Sequence, residues 1–144
     1  MIIKAKQEHF DELFSLIEKM IDESVFSFAK PNKDKIKRLF NYPKNATFLA
    51  YNDDKCIGFI SLLIDSFFFS DYERATDVGF YVLPENRGST TSSRLIKEAE
   101  KWAKEQGIKE ICMGQSVGNK IEETKKFYIH HGYEIGGFNG MKRI

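Results

Sequence analysis

The segment Tyr81-Val82-Leu83-Pro84-Glu85-Asn86-Arg87-Gly88-Ser89-Thr90-Thr91-Ser92-Ser93-Arg94-Leu95 carries the most specific chemistry in the chain. An apolar run passes through a proline into a loop of small residues, and the loop opens an amphipathic helix. Backbone N–H groups at a helix start lack intrahelical acceptors, and the macrodipole adds partial positive charge there. Small side chains at Gly88, Ser89, Thr90, Thr91, Ser92 and Ser93 let an anion approach the main chain, and Arg87 adds a full charge. The segment therefore reads as a phosphate seat. A Ser/Thr cluster that merely caps a helix, with no ligand, is the competing reading.

Other reactive residues form no comparable set. His9 falls in the first predicted helix, and His130 and His131 end the last one, where the dipole favours cations, so surface roles are expected. No serine sits in a G-x-S-x-G elbow, and neither Cys56 nor Cys112 has a partner histidine in a local signature, which argues against an acyl-enzyme. The cysteines also lack C-x-x-C spacing or a nearby histidine cluster, so buried thiols and no metal site are expected. The G-x-G-x-x-G and G-x-x-x-x-G-K-[ST] fingerprints are absent, which argues against NAD and ATP.

The elements that must position this loop fit one domain over residues 1–144. With 22 Lys plus Arg against 21 Asp plus Glu, the net charge of +1 creates no global field to gather nucleic acid or anionic lipid, so any anion site must be local. The basic run Lys33, Lys35, Lys37 and Arg38 reads either as a solvated helix face or as a nucleic-acid contact. No apolar run approaches about 18 residues, and the first residues lead into an acidic helix pattern, so a cytoplasmic protein without a membrane partner is expected.

A short strand over Met1 to Ala5 is followed by Phe10, Leu13, Phe14, Ile17, Met20 and Ile21 at helical spacing. Lys33 to Phe40 forms a second helical segment. Thr47 to Tyr51 and Cys56 to Ile64 make two antiparallel strands about a polar turn, and a further strand runs from about Arg74 to Val82. After the Arg87 loop, Leu95, Ile96, Ala99, Trp102 and Ala103 share a helix face until Gly107. Lys109 to Met113 then returns as a strand through a right-handed crossover. Ile121, Thr124, Phe127, Tyr128 and His131 give a last helix ending at Gly132, before two short strands around Gly136-Gly137 and at Ile144. The sum is an α+β arrangement with one βαβ unit.

This order of elements, with the Val82-Leu83-Pro84-Glu85-x-Arg87-Gly88 turn and the later Asn119...Phe127-Tyr128...Gly132-Tyr133 pattern, resembles the GNAT N-acetyltransferase superfamily over nearly the whole chain. The run Ala75-Thr76-Asp77...Phe80-Tyr81-Val82 is also similar to small members carried by bacteriophages. The resemblance implies a mixed central sheet of six to seven strands with about four helices. It implies that the loop from Arg87 to Ser93 cradles the pyrophosphate of acetyl-CoA and that Phe80, Tyr81, Val82 and Leu83 pair with the pantetheine arm. Asn119 would bond that arm, or simply shape the turn before the helix. One departure stands out: the family's Arg-Gly-x-Gly-x-Gly/Ala pattern would place glycine at Thr90 and a tiny residue at Ser92. A Cβ at Thr90 crowds an incoming phosphate, while the hydroxyls of Ser89, Thr90, Ser92 and Ser93 could donate to it, so binding is expected to be retained and weakened.

Acetyl transfer needs a neutral amine, a thioester held in line and a proton for the departing thiolate. Asp77, on the strand entering the loop, is the first choice for the base, and Glu73 is the second. A solvated carboxylate paired with Arg74 or a lysine is the plain alternative for either. Tyr128 resembles the family's general acid, and a core tyrosine beside Phe127 is its alternative. Phe67-Phe68-Phe69 must expose aromatic area, line an acceptor groove, meet a second subunit in a homodimer, or pack in the core. Asp65, Asp71 and Glu73 beside it suit a cationic acceptor such as a polyamine, an aminoglycoside or a peptide amine. Two functions follow: an acetyl-CoA-dependent N-acetyltransferase working by direct attack in a ternary complex, or a GNAT-shaped binding module whose coenzyme site is weakened or lost.

Overall fold

The computed structural model describes residues 1–115 and 120–144. Among these, a five-stranded sheet in the order β1-β2-β3-β4-β5 comprises β1 (Ile2–Lys4), β2 (Asn45–Asn52), β3 (Lys55–Ser66), β4 (Glu73–Val82) and β5 (Ile111–Cys112). The first four strands pair antiparallel, and β5 joins β4 in parallel. The helices are α1 (Phe10–Asp22), α2 (Lys33–Phe40), α3 (Thr91–Glu105) and α4 (Ile121–His130). No helix among the described residues is long and apolar enough to cross a membrane.

β3 is buried along nearly its whole length, because both faces of this central strand are covered. Gly79, Phe59 and Ser61 line the side under α1 and α2, so alternation directs Ile60 and Leu62 to the opposite side, where α3 packs. That helix buries Leu95, Ile96, Ala99, Trp102 and Ala103, the face its spacing predicts. Gly58 is required where it stands: a Cβ there would lie 2.8 Å from the carbonyl oxygen of Tyr81 on the neighbouring strand. The β2–β3 hairpin turns at Asp53, which takes a left-handed φ of 51° that aspartate tolerates.

The sheet corrects the expectation of six to seven strands. β5 spans two residues instead of Lys109 to Met113, and the segment after Gly132 forms no strand. Gly136, Gly137 and Gly140 lose much backbone entropy on becoming extended, and an edge as short as β5 offers little ladder to offset that loss. Ile135, Phe138, Met141 and Ile144 accordingly stand exposed. The tail is tied back by Arg143, which donates to the Val25 carbonyl at 2.8 Å and lies over the Phe28 ring at 4.6 Å.

Candidate active site

The site begins where β4 loses its neighbour. Its parallel pairing with β5 is confined to Ala75↔Ile111 and Thr76↔Cys112, so from Asp77 onward no strand among the described residues lies beside that edge. On the other edge the register moves from Ser61↔Gly79 to Leu62↔Asp77, leaving Val78 as the extra residue of a β-bulge. A bulge bends the strand and re-aims its side chains. The opening leads into a cavity of about 700 Å³ lined by β4 from Asp77 to Val82, by the end of α1, and by Glu123, Thr124, Phe127 and Tyr128 of α4. Arg87 and Ser92 of the following loop and helix line it as well.

Gly114, just past β5, joins the two leading catalytic candidates. Its N–H donates to Asp77 Oδ1 at 3.0 Å, and its carbonyl accepts from the Tyr128 hydroxyl at 3.1 Å. Burial raises the Asp77 carboxyl to about 6 against the opposing pull of the Gly114 amide. A base near that value is mostly ionised at neutral pH yet still accepts a proton readily. Tyr128 is buried and its pKa moves up, first through burial and then through the charge of Asp77, so it remains a phenol at neutral pH. Glu73 is not brought to this cavity. It opens β4 at the far end, exposed and paired with Lys44.

Gly88, at a φ of 79°, turns the chain from the Pro84–Asn86 3-10 turn into α3. The amides of Ser92 and Ser93, in the first turn, meet no acceptor within the described chain. Arg87 is less available than its charge suggests. Its Nε donates to the Val82 carbonyl at 2.9 Å, its Nη2 to Glu23 Oε2 at 2.7 Å, and its guanidinium lies 5.3 Å from the centre of the Tyr81 ring. The hydroxyls also divide. Ser89 Oγ donates to the Asn86 carbonyl at 2.6 Å and accepts from the Thr91 amide at 3.3 Å, so it braces the loop from within. Ser92 faces the cavity, and Ser93 contacts His131.

Phe80 to Leu83 run along the open stretch of β4 and into the loop, with Tyr81, Val82 and Leu83 buried. Asn119 lies outside the described residues. Phe67-Phe68-Phe69 do not line the cavity: they project at the β3–β4 turn, with Phe67 stacked on Phe69 at 4.9 Å and Phe68 fully exposed. The basic run of α2 lies against α1, where Lys33 pairs with Asp11 at 3.1 Å and Lys37 sits over Phe10. Burial raises the Cys56 thiol to about 11, which keeps it protonated and poorly nucleophilic.

Gly114 and Val78 carry no sequence mark of a site role, and His131 is marked only as a helix-end histidine. Gly79 inside a strand pattern was a usable signal for the bulge, whereas Gly114 acts through main-chain atoms that its side chain cannot announce. His131 corrects the surface assignment made for the histidines, since its half-buried ring packs on Phe127 at 4.4 Å and bonds to Ser93.

A strand pair that parts beside a helix-start loop, with a cavity between, defines the class. The chain belongs to the GNAT acetyltransferase family, which it matches over residues 12–133. It is 34% identical over 80 residues to an aminoglycoside N(6')-acetyltransferase type 1 of Acinetobacter haemolyticus, a match covering 53% of this chain and 54% of the relative. The match thus spans about half the length of that curated relative. Among solved structures, an aminoglycoside acetyltransferase from an uncultured soil metagenomic sample, in complex with trehalose, superposes with a TM-score of 0.79 at 16% identity, covering 100% of this chain and 95% of that one. An aminoglycoside 6'-acetyltransferase in complex with a CoA-based bisubstrate analogue gives 0.79 at 20% identity, covering 100% and 97%. At such identities the likeness establishes the shared fold.

Proposed function

We propose that residues 1–144 act as one acetyl-CoA-dependent N-acetyltransferase domain that moves an acetyl group to a primary amine by direct attack in a ternary complex. The observation that carries this reading is the convergence of Asp77 and Tyr128 on Gly114 inside the cavity that the parted β4 edge and the α3 loop also border. The residues fit the coenzyme. The unpaired β4 edge offers main-chain groups to an extended amide-bearing arm, and the acceptor-free amides of Ser92 and Ser93 suit a diphosphate. Ser92 supplies a hydroxyl where the family commonly has a tiny residue. Arg87, held by Val82 and Glu23, shapes the seat and leaves most of the anion binding to the main chain.

The coenzyme supplies the acyl group as a thioester. Asp77 takes a proton from the acceptor ammonium, directly or through water, which frees the nitrogen lone pair. Tyr128 delivers a proton to the sulfur as the C–S bond gives way to the new C–N bond and regains one from the nitrogen, which sheds its second proton on becoming an amide; the raised pKa of Tyr128 makes that transfer depend on close positioning. Cavity-lining carboxylates favour a cationic acceptor: Glu23 is neutralised by Arg87, while Asp77 and Glu123 face Lys120 as the remaining cation of the lining. Together with the aminoglycoside-modifying relatives, this favours a small polyamine or aminosugar. The test is free-thiol release from acetyl-CoA with a panel of such amines. Release that requires both substrates is expected, and its absence across the panel, together with a failure of acetyl-CoA to bind, would favour the binding-module alternative.

A further inference from the structure

His131, at the C-terminal end of α4, reaches across to the first turn of α3. Its Nδ1 lies 2.8 Å from the Phe127 carbonyl and its Nε2 lies 2.9 Å from Ser93 Oγ. A carbonyl oxygen only accepts, so Nδ1 carries a proton. In the neutral ring Nε2 is then an acceptor, and the single hydroxyl proton of Ser93 points at the imidazole. The Ser93 side chain then presents lone pairs, and no proton, to an anion at the helix start. Protonating the ring reverses the bond: Nε2–H donates to Ser93 Oγ, and the hydroxyl proton becomes available to a phosphate oxygen.

We propose that Ser93 and His131 form a proton-coupled latch on the diphosphate seat, in which coenzyme binding draws a proton onto His131 and turns the Ser93 hydroxyl toward the anion. The proposal rests on the coenzyme reading of this site. His130 lies edge-on at 5.3 Å on the same helix end, Arg94, Lys97 and Glu100 belong to the adjacent turns of α3, and Glu100 accepts from the Tyr133 hydroxyl. None of the described carboxylates forms an ion pair with the His131 ring.

The test is calorimetric titration with acetyl-dephospho-CoA at about pH 7, where imidazole charge is adjustable, in buffers of different ionisation enthalpy. That probe keeps the diphosphate but lacks the terminal phosphate and the free thiol, both of which would titrate. Wild-type protein should take up a few tenths of a proton per ligand bound. His131→Gln, whose amide can keep the Ser93 contact but cannot titrate, should lose the uptake, as should Ser93→Ala. Asp77→Asn should retain it, which separates the latch from the other titrating group of the cavity. Binding with equal proton counts in wild type and His131→Gln, or with none in either, overturns the latch alone. A failure of the wild type to bind overturns the coenzyme reading and the latch with it.

Discussion

Asp77 and Tyr128 depend on one another through Gly114, and burial acts on both in the same direction. For Asp77, protonation is easier in the folded chain than in the unfolded one. Its raised pKa therefore adds stability that is complete below the unfolded value near 4 and is lost as pH rises through about 6. Asp77→Asn should then raise Tm at pH 8, by an amount worth about 1–2 kcal/mol, with the gain vanishing toward pH 4; thermal melts across that range check it. Wild type should show an acidic limb of kcat/KM near pH 6, and the same substitution should remove it. Tyr128→Phe should lower kcat about 100-fold while leaving acetyl-CoA affinity within about twofold, a split that steady-state kinetics and calorimetry resolve together. Neither pairing with Gly114 is legible in the sequence, because 37 residues separate Asp77 from its amide partner and 14 separate Tyr128 from its carbonyl partner.

Among the elements, β4 does the most for the site. It must pair tightly with β3 on one edge and stand open on the other. Gly58→Ala would press a Cβ into the Tyr81 carbonyl on the paired edge and should destabilise the fold by about 1–3 kcal/mol, measurable by urea unfolding. Arg87→Ala would release both the end of β4 and Glu23 beyond α1. It should raise the KM for acetyl-CoA several-fold and lower Tm, whereas a pure phosphate contact would leave Tm of the free protein unchanged. Elements governed by local rules were legible. Lys33–Phe40 follows from its cap, where Asn32 accepts from the Lys35 amide, and α3 follows from the loop and its apolar face. Gly79 signalled a bulge without fixing its place at Val78, and the early end of β5 had no signal, since each is set by register against another strand. The two terminal strands failed for a related reason: apolar residues between glycines suggested them, but the two-residue β5 offers too short an edge to hold them.

At the scale of the whole molecule, a single apolar core under both faces of β3 holds the two halves of the site in register. Phe59, Ile60, Leu62, Leu95 and Ile96 lie at its centre. Family and fold were legible because the order of elements and the Pro84-Glu85-x-Arg87-Gly88 turn survive in one chain, while the rest of the cavity lining comes from the end of α1, α4 and Asn139 of the tail, whose meeting only the folded chain shows. The central claim is that the parted edge of β4 and the acceptor-free amides of α3 hold acetyl-CoA. Calorimetric titration of the folded protein with acetyl-CoA tests it most directly. Saturable binding in the micromolar range, weakening as salt is raised, is the predicted result. No heat of binding at millimolar coenzyme would contradict the account.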